Sequence, residues 1–252
     1  GSSVPAAAQE HIKEVSVLKV RIKFAKQGAM KFIGHLDIMR YFQKAVKRAG
    51  LDAAYSEGFS PHMIMSFAAP LGVGITSEGE YFDLELKTPV SSKKAVERLN
   101  QVMVEGMEVL SVREVPEGKK GKAMSLVAAA DYLVSFREGM EPGENWQEKI
   151  RTFMEQLEIL ILKKTKKNEK EVDIKPYIYE MEIRGESIFL KLAAGSVKNT
   201  KPELVMEAFF AFCGQEFQPL SLLIHRVEVY GDLGEEGERR LVSLEDLGEE
   251  IE

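Results

Sequence analysis

Arg40, Lys44, Lys47 and Arg48 follow the spacing i, i+4, i+7, i+8, which places four cations within about a 100° arc of one helix. Lys26 and Lys31 stand just upstream. Long cationic side chains on a rigid helix hold charge at regular intervals and suit phosphate contacts along a backbone. The same spacing also describes an ordinary solvated helix face. Lys163, Lys164, Lys166, Lys167 and Lys170 form a second cluster, expected to end a long helix and enter a loop, where cations complement a helix C-terminus. Lys198 and Lys201 belong to Gly195-Ser196-Val197-Lys198-Asn199-Thr200-Lys201-Pro202, which runs into an expected helix N-terminus, a place that attracts anions. The segment lacks the Gly-x-x-x-x-Gly-Lys-Ser/Thr spacing of a nucleotide P-loop.

Two histidines are candidates for general-base or metal chemistry: His35, beside Asp37, and His62, in Ser60-Pro61-His62-Met63. No His-x-His or His-x-x-x-His spacing supports a metal site, so structural or capping roles are the simpler reading, and neither metal nor cofactor is expected. His225, in the last expected strand, is weaker still. Cys213 is the single cysteine, which excludes an intrachain disulfide and any multi-cysteine zinc or iron–sulfur site. It follows Ala208-Phe209-Phe210-Ala211-Phe212 and reads as a core thiol. Of Tyr81 and Phe82, one is expected in the core, since the surrounding residues do not match an RNP stacking pattern.

These residues need elements to hold them. Leu18-Lys19-Val20-Arg21-Ile22-Lys23-Phe24 alternates apolar and basic residues, as a strand with one buried face does. Ile38, Phe42, Ala45, Val46 and Ala49 share one side of a helix from Leu36 that Gly50 stops. An irregular strand from Ser60 to Ala69, a strand from Glu80 to Lys87, a helix capped by Ser91 or Ser92, and a strand from Met107 to Val115 complete β-α-β-β-α-β. The order then repeats. Tyr132, Val134 and Phe136 alternate; Trp146, Ile150, Phe153, Leu157 and Leu160 space as the stripe of a long helix; a hairpin turns at Arg184 to Ser187; a helix runs from Pro202 to Gly214; a strand covers Ser221 to Tyr230. The expectation is an α+β protein of two tandem ferredoxin-like domains with antiparallel sheets, residues 17–115 and 126–231, joined by a linker at 116–125.

Residues 1–16 read as a flexible extension opening on a tag scar, Gly1 to Ser3, without the basic start or apolar core of a signal peptide. Residues 232–252 read as an acidic C-terminal tail in which nine acids face Arg239 and Arg240. Removing that tail from totals of 34 Lys plus Arg and 40 Asp plus Glu leaves 32 against 31, so the body is near neutral with local basic patches. Counterion release depends on those patches rather than on the sum. No stretch reaches the roughly 18 apolar residues of a spanning helix, and the cytoplasm is the expected compartment, with no membrane partner.

Phe32-Ile33-Gly34-His35-Leu36-Asp37-Ile38-Met39-Arg40, Ala54-Tyr55-Ser56-Glu57-Gly58-Phe59-Ser60-Pro61-His62, Ser66-Phe67-Ala68-Ala69-Pro70-Leu71, Ser77-Glu78-Gly79-Glu80-Tyr81 and Asp173-Ile174-Lys175-Pro176 resemble the radical SAM-linked (radical SAM-associated) family, DUF2344. The resemblance implies a small protein encoded beside, or sometimes fused to, a B12-binding radical SAM protein, often near genes of ribosome and RNA metabolism. His35, Asp37, Arg40, Tyr55, Ser56, Phe59 and His62 match its motif and would line the working surface. Radical SAM chemistry needs three cysteines in Cys-x-x-x-Cys-x-x-Cys spacing, and this chain has one. The leading expectation is therefore a non-catalytic accessory protein that binds RNA or a ribosomal substrate and presents it to a separate radical SAM partner. The rivals are a ribonuclease resembling the Cas6-type CRISPR endonucleases, with His35 as general base, and a pure protein-interaction scaffold.

Overall fold

The computed structural model describes residues 17–116 and 123–252. The expected extension at 1–16 and positions 117–122 of the expected linker lie outside the described residues. Strand β1 (Leu18–Lys26) alternates as its sequence dictates, sending Val20, Ile22 and Phe24 into a core and Arg21 and Lys23 to the other side. Helix α1 (His35–Arg48) buries Ile38, Phe42, Ala45 and Val46. Strand β2 (Met65–Ala68) is shorter than the expected Ser60–Ala69, because Ser56 to His62 close into a loop; β3 (Thr76–Leu86) starts four residues earlier than expected. In α2 (Ser92–Asn100), Ser91 Oγ accepts the Lys94 N–H at 3.2 Å, a side-chain cap, and β4 (Met107–Glu114) ends the first half.

The second half comprises α3 (Ala123–Leu126), β5 (Val127–Phe136), α4 (Lys149–Glu155), β6 (Leu160–Lys164), β7 (Glu169–Asp173), β8 (Ile178–Arg184), β9 (Ser187–Ala193), α5 (Pro202–Phe212), β10 (Leu222–Asp232) and β11 (Leu241–Ser243). The long helix expected from Trp146 to Leu160 is corrected. Trp146, Ile150 and Phe153 are buried as its stripe requires, but Gln156 turns to extended backbone and Leu157 is 98% exposed. The Asp173 carboxylate accepts the N–H groups of Ile159 and Lys175, closing the β6–β7 hairpin. The lysine cluster thus lies on a hairpin rather than at a helix end.

The architecture is mixed α+β with a large, mostly antiparallel sheet. Its order is β4-β1-β3-β10-β5-β9-β8, with β2 beside β3 and β11 beside β10. Two separate sheets were expected; one sheet is found, because β3 and β10 pair in parallel at Thr76↔His225 and Ser77↔Arg226. Glu80 lies opposite Phe24 beneath α1, and Arg226 lies opposite Tyr132 in the core of the second half. Arg226 Nη2 donates to Glu80 Oε2 at 3.0 Å, so the helices of both halves cover the same side.

The acidic segment 232–252 is built into the opposite side as far as Asp246 and then passes the edge of β4, where Glu249 bridges Glu114, to reach the start of α2. Leu244 is fully buried and donates its N–H to Val229 O at 3.0 Å, while Arg21 Nη1 donates to Leu244 O at 3.0 Å. Glu245 accepts from Ser111 Oγ at 2.6 Å, Arg113 pairs with Asp246 at 3.3 Å, and Ile251 N donates to Ser92 Oγ at 2.8 Å. Beneath this strap Arg21 grips Asp83 with two bonds of 2.9 and 3.1 Å, and Lys23 meets Glu228 at 2.8 Å. Tyr81 and Phe82 are both fully buried, on opposite sides of β3: Phe82 in the core beneath α1, Tyr81 with its hydroxyl donating to Glu228 at 2.5 Å.

Candidate nucleic-acid interface

Burial of its apolar stripe leaves α1 presenting Arg40, Lys44, Lys47 and Arg48 to solvent. Arg40 stands 3.6 Å from Asp37, both about 70% exposed, a contact worth little in water. No carboxylate among the described residues lies within salt-bridge distance of Lys44, Lys47 or Arg48. The neighbouring α2 adds Lys93, Lys94 and Arg98, which reading the sequence missed. Those cations were in plain view there, but their place beside α1 depends on tertiary contacts such as Tyr41 Oη, which accepts the Val104 N–H at 3.0 Å. The two helices together present these seven cations against two carboxylates, Asp37 and Glu97.

The resemblance motif is spread along this helix rather than gathered at a point. Lys47, in the last turn, sits 5.9 Å over the Tyr55 ring, so the loop from Ser56 to His62 lies at the C-terminal end. His62 accepts nothing catalytic there; its Nδ1 lies 3.0 Å from Ser56 Oγ, which also accepts the His62 N–H. His35 lies at the other end, about 18 Å away along the helix axis. Its ring meets Phe67 edge-on with centroids 5.2 Å apart. The two histidines therefore do not form one site.

At the N-terminal end of α1 the halves meet. Lys26, His35, Phe67 and Glu80 surround a small cavity roofed by Pro70 and Leu71. Lys26 is 2% exposed, which removes it from any nucleic-acid surface. Burial pulls the Lys26 ammonium below its usual range, and burial pushes the Glu80 carboxyl above its own despite Arg226 beside it. Arg226 uses all three of its nitrogens, donating to Gly79 O at 3.1 Å, Ala69 O at 2.8 Å and Glu80. Ala69 adopts φ +46°, a left-handed conformation unusual for a residue with a Cβ. A Cβ at Gly79 would sit 2.8 Å from the Glu228 Cα, so the seam needs glycine there. On the other side of the seam His225 Nδ1 meets Thr76 Oγ1 at 2.8 Å and Nε2 meets Glu78 at 3.2 Å.

Lys201 lines a second cavity at the seam with Arg226, Tyr132 and Gly72, at the N-terminus of α5; Lys198 is exposed on the same loop, and Thr200 Oγ1 is buried without a partner among the described residues. Lys31 is half buried, its Nζ 5.1 Å over Phe32. The hairpin lysines are mainly exposed on β6, β7 and the turn between them; β6 packs on α5, whose own exposed Glu207 is acidic. They do not continue the α1 row. Cys213 is buried, and burial raises its thiol pKa. No three His, Cys, Asp or Glu side chains among the described residues are grouped to hold a metal ion, and no helix is long and apolar enough to cross a membrane.

Comparison with known proteins adds three findings. The family described as uncharacterized protein conserved in bacteria (DUF2344) matches residues 19–202. No curated protein matches. A crystal structure of a Cbf5-Nop10-Gar1 complex is similar at 13% identity with a TM-score of 0.44, over 83% of this chain and 48% of that one, so the chain spans about half of that chain's length.

Proposed function

The chain belongs to the DUF2344 family, and on that footing we propose that it is a non-catalytic accessory protein that binds RNA, or an RNA-bearing ribosomal substrate, on the basic helix layer of its first half. In this reading each half is a ferredoxin-like unit, since the strand order within a half is last, first, third, second, with both helices on one side. The strip of α1, ending at the Ser56–His62 loop on one side and at the seam on the other, is the working surface. A separate radical SAM enzyme, in the cytoplasm, acts on what is held there. That partner rests on the family resemblance and on the single buried cysteine of this chain, which leaves radical chemistry to another protein.

The observation that carries the reading is the contrast between the two sides of the first half. Arg21, Lys23 and Arg113 on the strapped side are each paired with carboxylates, whereas of the seven cations of α1 and α2 only Arg40, 3.6 Å from Asp37, has a carboxylate within salt-bridge distance among the described residues. Unpaired cations on packed helices attract a polyanion at low ordering cost. The histidines, at opposite ends of α1, lend no support to His35 as the base of a ribonuclease.

Two measurements on the purified chain test this: fluorescence anisotropy with labelled RNA, and capture of a purified radical SAM enzyme of the family's neighbourhood. RNA retained with the enzyme in one complex is expected. Retention of neither rejects the proposal, and capture of the enzyme alone, independent of Arg40, Lys44 and Lys47, leaves a protein scaffold.

A further inference from the structure

Phe59 has a fractional exposure of 108%, more than a side chain shows in a free extended peptide. It does not hang from a loose end. The Ser56–His62 loop is closed by Ser56 N donating to His62 O at 2.8 Å, by Ser56 Oγ accepting the His62 N–H at 3.0 Å, and by the Ser56 Oγ to His62 Nδ1 contact. Tyr55 pairs with Met63 as an isolated bridge at the base of the loop, and Gly58, at φ +110°, supplies the turn that a residue with a Cβ rarely adopts. A fold that needed only a turn here would place a polar residue at its tip; this one braces an apolar ring in water.

The ring has a charged setting. Tyr55, at its base, is half exposed beneath Lys47, and Lys44 and Arg48 stand on the same helix without carboxylate partners among the described residues. Glu57 is the acidic residue of the loop, and Asp52, before it, is engaged by Thr88 Oγ1 at 2.8 Å. An exposed aromatic ring on a loop whose base lies under Lys47 of the cation row matches a ligand with both apolar planes and a polyanionic backbone. Unpaired nucleotides offer both, whereas in a duplex the base faces are occupied by their own neighbours. Resting on the polyanion reading above, we propose that Phe59 stacks an unpaired base while Lys44, Lys47 and Arg48 hold the adjoining phosphates, so the ligand of this surface is single-stranded rather than duplex RNA.

Anisotropy titrations of one RNA sequence, as a single strand and as a blunt duplex, with heparin as a polyanion lacking bases, separate the parts. Phe59→Ala is expected to weaken single-strand binding roughly 5- to 100-fold, the usual loss per stacked base, with heparin binding and the salt dependence unchanged. Phe59→Trp is expected to retain the affinity, and both variants to keep the wild-type unfolding midpoint because no described residue packs on the ring. Equal single-strand affinity for Phe59→Ala, or equal binding of the duplex by the wild type, overturns the proposal while leaving the polyanion reading in place. Loss of enzyme capture by Phe59→Ala with RNA binding intact overturns it in favour of a protein contact. Failure of the wild type to bind RNA and heparin alike removes the polyanion reading itself.

Discussion

Glu80 and Arg226 show how two side chains 146 positions apart tie the halves together at a cost. Both are nearly inaccessible and stripped of water; in exchange they share one 3.0 Å ion pair, and Arg226 alone adds bonds to two carbonyl oxygens. Because burial raises the Glu80 pKa, the folded chain holds that proton more tightly than the unfolded one. Wild-type stability therefore falls as pH rises from about 4.5 through the raised folded value. Glu80→Gln has no such proton to lose, so the stability margin of the wild type over the variant is expected to narrow with rising pH in a thermal-unfolding series; a margin that widens contradicts the assignment. The functional side chains were only partly readable from the sequence. The α1 cations were apparent because helical spacing alone sorts them to one side, while Lys26 fitted the same basic pattern yet lies beneath the seam, a placement set by contacts with β3 and β10.

Elements whose pattern is local behaved as their sequences dictate: β1 by its alternation, α1 by its stripe, α2 by its Ser91 cap. The helix expected through Leu160 failed because apolar periodicity cannot distinguish a continuing helix from a turn into a strand that opens Leu160-Ile161-Leu162. The difference is measurable. Phe153→Ala is expected to cost about 3–5 kcal/mol in denaturant unfolding, since Phe153 is buried against Phe209, whereas Leu157→Ser is expected to leave the midpoint unchanged although both belong to the same apparent stripe. The strap makes a second case. Its composition reads as an acidic C-terminal tail, but Leu244 is a core residue, and Leu244→Ala is expected to cost about 2–5 kcal/mol by the same assay; a loss near zero means the strap is only loosely applied. Neither the strap nor the two-residue parallel pairing at Thr76 and His225 has a local signature, so neither was open to a reading of short windows.

The net charge of −6 conceals a polarised protein. Carboxylates of the strap neutralise Lys23 and Arg113 on one side, and the helix layer of the first half keeps its cations for solvent on the other. The hairpin that carries the second lysine cluster packs through β6 on α5, so removal of those lysines is expected to change RNA affinity less than removal of the α1 row. The most direct measurement is the salt dependence of RNA binding for the wild type and for a Lys44→Ala, Lys47→Ala, Arg48→Ala triple variant. Each lost phosphate contact lowers the slope of log K against log salt by about 0.7 for a single strand. A weaker complex with a slope shallower by about 2 is expected; unchanged affinity and slope would contradict the assignment of this helix as the RNA-binding surface.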